Sequence, residues 1–265
     1  YGEGLEGVIN QRAADFIGIL NGVDYTEWHP EDDREIYQKY SKDSLYLKRA
    51  NKIGLLKDFG LNESDDLDMP LISMVTRLTE QKGIDLVAFK MEELLNKHNF
   101  RLFILASGEY HYEEYFRWLA SRFPNRVLTY FDFNYNLSHK VYAASDYFLM
   151  PSRFEPCGLS QMYALKYGTI PIVRETGGLS DTVKEYDPKN SVGCGFTFWQ
   201  YNADDMAFAI NRALELYNQQ PHWDNIRKNA MSLNFSAERT AKDYIQVFNW
   251  AKEKVRSEER RVGKE

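Results

Sequence analysis

Short apolar runs alternate with helical patterns through most of this chain, and this alternation restricts the fold more than any other feature. Six runs are predicted to be strands: Leu71–Val75, Arg101–Ala106, Arg126–Tyr130, Tyr147–Met150, Thr169–Val173 and Gly195–Phe198. Strands that are separated by helix-length segments typically pair in parallel, with the helices crossing over the faces of the sheet. The sequence therefore predicts an α/β fold built on a doubly wound, mostly parallel sheet flanked by helices.

The segments between the runs have helical periodicity. Those inside the sheet region are Asp85–Asn96, Glu113–Phe123, Ser138–Ala144, Ser160–Tyr167 and Leu179–Glu185. Three closing helices are predicted at Asp204–Tyr217, Trp223–Met231 and Ala237–Val255, the last capped by Ser236. A further helix, Glu35–Leu56, precedes the first strand. We predict a connector at 1–30, one domain at 31–255, and a charged tail without stable structure at 256–265.

Charge and composition exclude several classes of protein. A 265-residue chain that is 43% hydrophobic can bury a large core. Its net charge of −6 disfavours nucleic acid and anionic membranes as partners, because proteins that bind such surfaces normally carry an excess of basic residues. No apolar run approaches the roughly 20 residues that a membrane span needs. The two cysteines, Cys157 and Cys194, fit neither a disulfide framework nor a zinc site, which favours the cytoplasm.

The turn Pro151–Gln161 joins a predicted strand to a predicted helix. In doubly wound sheets ligands bind beyond the carboxyl ends of the strands, and free N–H groups at a helix start favour anions. Glu155 adds a carboxylate that can accept hydrogen bonds from sugar hydroxyls, or that merely interacts with the helix dipole. Cys157 has no nearby His to activate it, so a small buried thiol is favoured over a nucleophile.

Three other turns follow predicted strands. In Thr76–Gly83, Arg77 and Lys82 either bind one diphosphate together or are ordinary surface cations. Phe133 either stacks on a nucleobase or belongs to the core, where Phe is common. The paired glycines of Arg174–Asp181 either allow a ligand to approach the backbone closely or form a tight turn.

Two further patterns exclude other chemistry. Asp66-Leu67-Asp68 resembles a metal signature, but it lies in an acidic segment ahead of the first strand, which favours a solvated turn. No Gly-x-Gly-x-x-Gly follows the first strand, which disfavours a hydride-transfer dehydrogenase.

Five segments in order resemble the retaining glucosyltransferases that elongate α-1,4-glucan, the bacterial glycogen synthase and plant starch synthase family. They are Tyr1–Val8, Gly18–Asp24 with Trp28 and Pro30, Arg77–Gly83, Pro151–Leu159 and Thr176–Val183. The resemblance implies the GT-B architecture of two facing Rossmann-like domains. This chain would be the carboxyl-terminal, nucleotide-sugar-binding half, with the amino-terminal domain missing. The last helix would show an exposed apolar face, because in the family it crosses back to that domain.

The resemblance also assigns roles and partners. The donor would be ADP-glucose and the acceptor an α-1,4-glucan, with retention of configuration and with neither cofactor nor metal. Arg77 and Lys82 would neutralise the departing diphosphate, and Glu155 would hold the donor glucose. The remaining predicted contacts to the nucleotide sugar are Asn21, Phe133, Cys157, Gly158, Leu159, Ser160, Thr176, Gly177 and Gly178.

One position departs from related GT-B enzymes, many of which have a second glutamate eight residues after the first. Here that position is Tyr163, so the usual ribose-binding carboxylate is absent there. Two alternatives stay open: a retaining transferase of the sucrose or trehalose type that uses UDP-glucose, and a nucleotide-binding module without activity. Alone, the fragment is expected to bind ADP or ADP-glucose weakly and to be inactive.

Overall fold

A computed structural model describes residues 4–62 and 65–262, with side chains described as far as residue 256. The chain divides into two compact units. One is Thr26–Leu233, and the other combines the two ends of the chain, up to Tyr25 and from Asn234 onward. The sequence predicts a connector at 1–30 and one domain at 31–255 that includes the last helix. The structure instead groups that helix with the amino-terminal segment.

The larger unit is built on a six-stranded parallel sheet. Its strands are β1 (Leu71–Leu78), β2 (Arg101–Gly108), β3 (Val127–Tyr130), β4 (Tyr147–Met150), β5 (Ile170–Arg174) and β6 (Phe196–Phe198). Their order is β3-β2-β1-β4-β5-β6, and every pair is parallel. The predicted fold class is confirmed. The order reverses between β1 and β4, which is where doubly wound sheets open a crevice for ligands.

Helices connect the strands and extend both ends of the chain. Within the described residues they are α1 (Glu6–Gln11), α2 (Lys48–Asp58), α3 (Ile84–Lys97), α4 (Tyr110–Arg122), α5 (Tyr135–Ala144), α6 (Ser160–Lys166), α7 (Gly177–Thr182), α8 (Ala203–Tyr217), α9 (His222–Met231) and α10 (Ala237–Val262). None of them is both long and apolar enough to cross a bilayer.

Helix α10 begins where the sequence predicts and ends later. Ser236 Oγ accepts a hydrogen bond from the Arg239 N–H at 3.3 Å, so Ser236 caps the helix as predicted. The tail predicted to lack stable structure from residue 256 continues the helix through Val262. Its Arg and Glu residues are good helix formers, which offsets the lack of apolar side chains. Residues 263–265 of that tail lie outside the described residues.

The predicted helix Glu35–Leu56 is wrong in its first half. Helical structure starts with a short 3-10 turn at Leu45–Leu47 and continues into α2. Upstream, the Gln38 N–H donates to Asn51 Oδ1 at 2.9 Å, and the Ser41 N–H donates to Ser44 Oγ at 2.8 Å. Such side-chain bonds satisfy backbone groups that a helix would otherwise pair, so they compete with helix formation.

One large hydrophobic cluster lies between the sheet and the helices α2 and α5. It includes Leu55 of α2, Leu71 of β1, Phe103 of β2 and Val141 of α5, all buried. Fully burying a side chain of this size contributes about 2 kcal/mol. This packing fixes the β1–β3 half of the sheet and therefore the position of the loops at its carboxyl edge.

The smaller unit exposes apolar side chains along α10. Tyr244, Ile245, Phe248 and Trp250 are 47 to 61% exposed. The unit is held by backbone bonds that include the Val23 N–H to the Phe235 carbonyl at 2.7 Å. The exposed apolar face expected of the last helix is present.

Candidate functional site

Two adjoining pockets open at the carboxyl ends of the central strands. The larger, of about 490 Å³, includes Phe133 and Tyr163 in its lining, and the smaller, of about 200 Å³, includes Lys82 and Met150. They share the side chains of Val75, Thr76, Arg77 and Ser160, so together they form one elongated cleft. The cleft lies at the point where the strand order reverses, as the fold predicts.

Lys82, which lines the smaller pocket, forms an ion pair with Glu155, which is not among the residues that line either pocket. Lys82 Nζ lies 2.6 Å from Glu155 Oε2, and the side chains are 16% and 9% exposed. Ser152 Oγ donates a second hydrogen bond to the same carboxylate oxygen at 3.3 Å. The sequence assigned Lys82 to phosphate and Glu155 to sugar. The structure brings the two groups into direct contact.

Backbone contacts between two loops create this pair. The Arg153 N–H donates to the Gln81 carbonyl at 2.9 Å, and Gln81 Nε2 donates to the Phe154 carbonyl at 2.8 Å. Gly83 has a left-handed φ of 73°, and a Cβ there would lie 2.1 Å from the Pro151 carbonyl oxygen. Only glycine allows this approach without displacing the backbone. The loop after β1 therefore holds Lys82 against the loop after β4.

The glycines of α7 serve a similar contact. A Cβ on Gly177 would lie 2.2 Å from the Glu155 carbonyl oxygen, and one on Gly178 would lie 2.1 Å from the Cys157 carbonyl oxygen. The Gly178 N–H donates to the Glu155 carbonyl at 3.0 Å. The close approach that these glycines allow is thus made by the backbone of the turn at Glu155 and Cys157. Contacts of Thr176, Gly177 and Gly178 with a ligand stay a prediction.

The turn that leads into α6 has a fixed backbone. Gly158 adopts a left-handed φ of 74°. Gln161 Nε2 donates to the carbonyls of Cys157 and Gly158 at 3.0 and 3.1 Å. Ser160, the first residue of α6, lines both pockets, and Leu159 is 36% exposed. Cys157 is half-buried.

Arg77 lies on β1 itself and not in the loop after it, because the strand continues to Leu78. Its side chain is exposed and lines both pockets. Together with Lys82, which lines the smaller pocket, it brings two cations to the cleft. This placement favours the interpretation of Arg77 as a diphosphate ligand over that of an ordinary surface cation.

Phe133 does not belong to the core. Its side chain is 82% exposed and lines the larger pocket. The turn that presents it is held by Asp132 Oδ1, which accepts the Phe133 N–H at 2.7 Å, and by Asn134, which caps α5. An exposed ring at the wall of a pocket is suited to stacking on a planar ligand.

An aromatic stack forms one side of the larger pocket. From the sequence, Trp28 was noted only as part of a motif and Tyr163 only as a departure from related enzymes. Trp28 lies between His139 and Tyr163, with ring centroids at 3.8 and 4.0 Å and nearly parallel planes. Tyr163 on α6 and Tyr167, which directly follows the helix, are four residues apart, and this spacing could have indicated a shared aromatic face. Trp28 itself comes from a distant segment, so no local pattern could indicate its position.

Asp33 holds the His139 end of this stack in place. Its Oδ2 lies 2.8 Å from His139 Nδ1 and also accepts a hydrogen bond from the Tyr167 hydroxyl. Burial alone would raise the pKa of Asp33. The hydrogen bonds from His139, Tyr167 and the Glu35 N–H outweigh burial and hold the pKa of Asp33 below its ordinary value. Asp33 is therefore a buried carboxylate that keeps the His139 ring in place beneath Trp28.

Two further segments that the sequence singled out remain, one predicted to contact the donor and one predicted to be a solvated turn. Asn21 belongs to the smaller unit, so its role at the donor stays a prediction. Asp68, from the metal-like triplet, accepts two hydrogen bonds from the Arg49 guanidinium at 2.6 and 2.8 Å. Across residues 4–62 and 65–256, no group of three or more His, Cys, Asp or Glu side chains is arranged to hold a metal ion.

The chain is similar to glycogen synthases over almost its whole length. It is 47% identical to the glycogen synthase of Thermosipho melanesiensis over 255 residues, which is 96% of this chain and 52% of that protein. It is 49% identical to the glycogen synthase of Bacillus subtilis over 248 residues, 94% of this chain and 51% of that protein. The chain thus spans about half the length of the curated relatives it matches.

Solved structures give the same fold. The catalytic domain of starch synthase IV from Arabidopsis thaliana, bound to ADP and acarbose, matches with a TM-score of 0.84 and 34% identity over 94% of this chain and 51% of that one. Sucrose-phosphate synthase from Thermosynechococcus elongatus matches with a TM-score of 0.62 at 20% identity over 93% of this chain and 56% of that one, which shows the fold alone. Residues 62–231 match the family described as glycosyl transferases group 1. The chain, with its carboxyl-edge cleft and its paired Lys82 and Glu155, therefore belongs to the group 1 glycosyl transferases.

Proposed function

We propose that this chain is the donor-binding half of a glycogen or starch synthase that transfers glucose from ADP-glucose to the non-reducing end of an α-1,4-glucan with retention of configuration. The observation that carries the proposal is the contact of Lys82 with Glu155 in a cleft whose other end presents the exposed ring of Phe133. A nucleotide sugar has its groups in the matching order. The base would lie against Phe133, the diphosphate near Arg77 and Lys82, and the glucose at Glu155.

The ion pair marks where the bond to be broken would lie. A cation that binds phosphate and a carboxylate that binds glucose are 2.6 Å apart, so the glucosyl–phosphate bond is expected beside them. Negative charge grows on the departing diphosphate in the transition state. Cations that are fixed there in advance stabilise the transition state more than the bound donor, which is the condition for catalysis.

The site supports a positioning role for Glu155 and not an attacking one. Its carboxylate is bound by Lys82 and Ser152, and Cys157 is half-buried in the adjoining turn. Retention would then follow from attack on the same face that the diphosphate leaves, within a short-lived ion pair. The absence of a resident metal belongs to the same proposal, because Arg77 and Lys82 would supply the positive charge. Cytoplasmic location stays a prediction.

The choice of ADP-glucose is supported by the relatives. The similar proteins from Thermosipho and Bacillus are glycogen synthases, and the starch synthase structure was determined with ADP and acarbose. A UDP-glucose enzyme of the sucrose or trehalose type and a module without activity remain the alternatives. Because the chain spans half of its relatives, synthase activity is expected only when it is joined to an amino-terminal half that contributes the acceptor side.

Calorimetric titration of the chain with ADP, UDP, ADP-glucose and UDP-glucose tests the proposal. ADP and ADP-glucose are expected to bind more tightly than their uridine counterparts, and EDTA should leave these affinities unchanged. Arg77→Ala should weaken ADP binding by about tenfold or more, since it removes a charge-assisted contact to the diphosphate. Arg122→Ala is the matched control, because Arg122 lies on α4 and pairs with Glu92 at 3.6 Å. A preference for UDP would overturn the donor assignment.

A further inference from the structure

Glu27 is an available carboxylate on the wall of the larger pocket. Among the described residues that line this pocket, Glu27 and Asp132 carry carboxylates. Asp132 is engaged in its own turn, where Oδ1 accepts the Phe133 N–H at 2.7 Å. Glu27 is exposed, and within the described part of the chain no Lys or Arg lies within ion-pair distance of it. The Tyr135 hydroxyl interacts with this carboxylate, which has further acceptor positions that a ligand can use.

Two tyrosines locate Glu27 along the cleft. Burial and the nearby Glu27 carboxylate raise the pKa of Tyr135, which is two residues from Phe133 on the side of the base. Burial and Glu27 also raise the pKa of Tyr163, which is one helical turn from Ser160 on the side of the diphosphate. Glu27 therefore lies near Tyr135 and Tyr163, and all three residues line the larger pocket.

The neighbouring residue fixes this position. Trp28 is only 7% exposed and is stacked between His139 and Tyr163. Residue 27 is thus an exposed position directly before a rigid anchor, and its backbone has little freedom to leave the pocket wall. Because the backbone that carries the carboxylate is already fixed, little backbone entropy is lost when it binds, which increases the affinity that its hydrogen bonds supply.

In every nucleotide the sugar connects the base to the phosphates, so the ribose of a bound ribonucleotide must occupy the middle of the cleft. Its 2′ and 3′ hydroxyls are adjacent donors, and a carboxylate has two oxygens that can accept from both. We propose that Glu27 accepts hydrogen bonds from the 2′ and 3′ hydroxyls of the bound nucleotide and selects ribonucleotides over deoxyribonucleotides. The inference rests on the proposed function, since it assumes that the cleft holds a nucleotide.

The proposal also accounts for Tyr163. Its ring is stacked on Trp28, so position 163 supplies an apolar surface instead of the carboxylate found there in many GT-B relatives. The acidic group comes from another segment of the chain, one residue before the tryptophan on which Tyr163 stacks. Tyr163 and Glu27 then act together. The Tyr163 ring stacks on Trp28 and fixes it, and Trp28 in turn positions Glu27.

The test measures the affinity of the 265-residue chain for ADP, 2′-deoxy-ADP and 2′,3′-dideoxy-ADP by calorimetry. The natural chain should bind ADP about tenfold to a hundredfold more tightly than 2′,3′-dideoxy-ADP, because hydrogen bonds to a charged group are lost. Glu27→Ala should weaken ADP binding by the same factor and leave the dideoxy nucleotide unaffected. Glu27→Gln should lie between, since an amide oxygen still accepts. Circular dichroism verifies that the variants are folded, which is expected because Glu27 is exposed.

Asp132→Asn is the matched control, and it should keep the discrimination between ADP and the dideoxy nucleotide. If Glu27→Ala still discriminates, Glu27 is not the ribose ligand and the inference is wrong, while ADP binding leaves the proposed function intact. If Asp132→Asn alone loses discrimination, the ribose carboxylate is Asp132 and the inference is wrong. If the natural chain binds none of the three nucleotides, the proposed function and the inference fail together.

Discussion

Lys82 Nζ lies 2.6 Å from Glu155 Oε2, so the cation predicted to bind phosphate and the carboxylate predicted to bind glucose neutralise each other in this structure. The pair links the loop after β1 to the loop after β4 across the point where the strand order reverses. Lys82 thus has a structural role besides the proposed chemical one. A diphosphate would have to share Lys82 with Glu155, whereas Arg77 is exposed and can bind without breaking a contact of this kind.

This relationship predicts non-additive effects on stability. Lys82→Met and Glu155→Gln should each lower the free energy of unfolding, Lys82→Met by about 3 kcal/mol, because removing one partner leaves the other buried without compensation. The double variant should lose clearly less than the sum of the two. Urea unfolding of the four proteins measures the coupling. Strict additivity would show that the contact contributes nothing to stability.

Glycine substitutions separate backbone contact from backbone conformation. Gly83 and Gly60 have similar left-handed φ values of 73° and 88°, but a Cβ on Gly60 would meet nothing within 4 Å. Gly60→Ala should therefore cost only the conformational strain, about 1 kcal/mol. Gly83→Ala should cost about 3 kcal/mol or more and should also weaken ADP binding, because the Pro151 carbonyl and the loop that carries Lys82 must move apart. Equal losses in thermal unfolding would contradict the role given to this contact.

The sheet could be predicted because its strands are buried on both faces. Tyr147–Met150 has the same bounds in sequence and structure, since a continuous apolar run between two helical patterns leaves few other assignments. The helix predicted over Glu35–Ser44 was wrong for a different reason. Its backbone pairs with side chains such as Asn51, and that choice depends on contacts that residue patterns do not encode.

The site was only partly predictable for a related reason. The turns after the strands pointed to Arg77, Lys82 and Glu155, because parallel strands end at one edge. The neighbours of Phe133 in the sequence favoured a place in the core over a place at a ligand, and its 82% exposure contradicts that interpretation. The stack of Trp28 on Tyr163 joins residues 135 positions apart in the chain, so no local period could indicate it.

Phe133 should contribute to nucleotide affinity and not to folding. Phe133→Ala should weaken ADP binding by about 1 to 3 kcal/mol, the usual contribution of one aromatic ring stacked on a base. The free energy of unfolding should change by less than about 0.5 kcal/mol, because the side chain is exposed. Phe89→Ala is the matched control: Phe89 is 79% exposed on α3 and does not line either pocket. Unchanged ADP affinity in Phe133→Ala would remove the ring from the base position.

Asp33 should make the stability of the chain depend on acid pH. The pKa of Asp33 lies below its ordinary value of 3.8, because hydrogen bonds from His139 and Tyr167 outweigh its burial. The stabilisation is therefore complete above pH of about 5 and is lost as the pH falls below 3.8 through the pKa of the folded state.

Asp33→Asn should lower the free energy of unfolding at pH 7 by about 2 kcal/mol, since bonds to a charged acceptor become bonds to a neutral one. It should also flatten the decline of stability between pH 5 and about pH 2. Because Asp33 holds His139 beneath Trp28, ADP affinity should fall as well. Asp32→Asn, at the exposed neighbouring position, should change neither property. Urea unfolding at a series of pH values measures the effect, and superimposable pH profiles for the natural chain and Asp33→Asn would rule out this anchoring role.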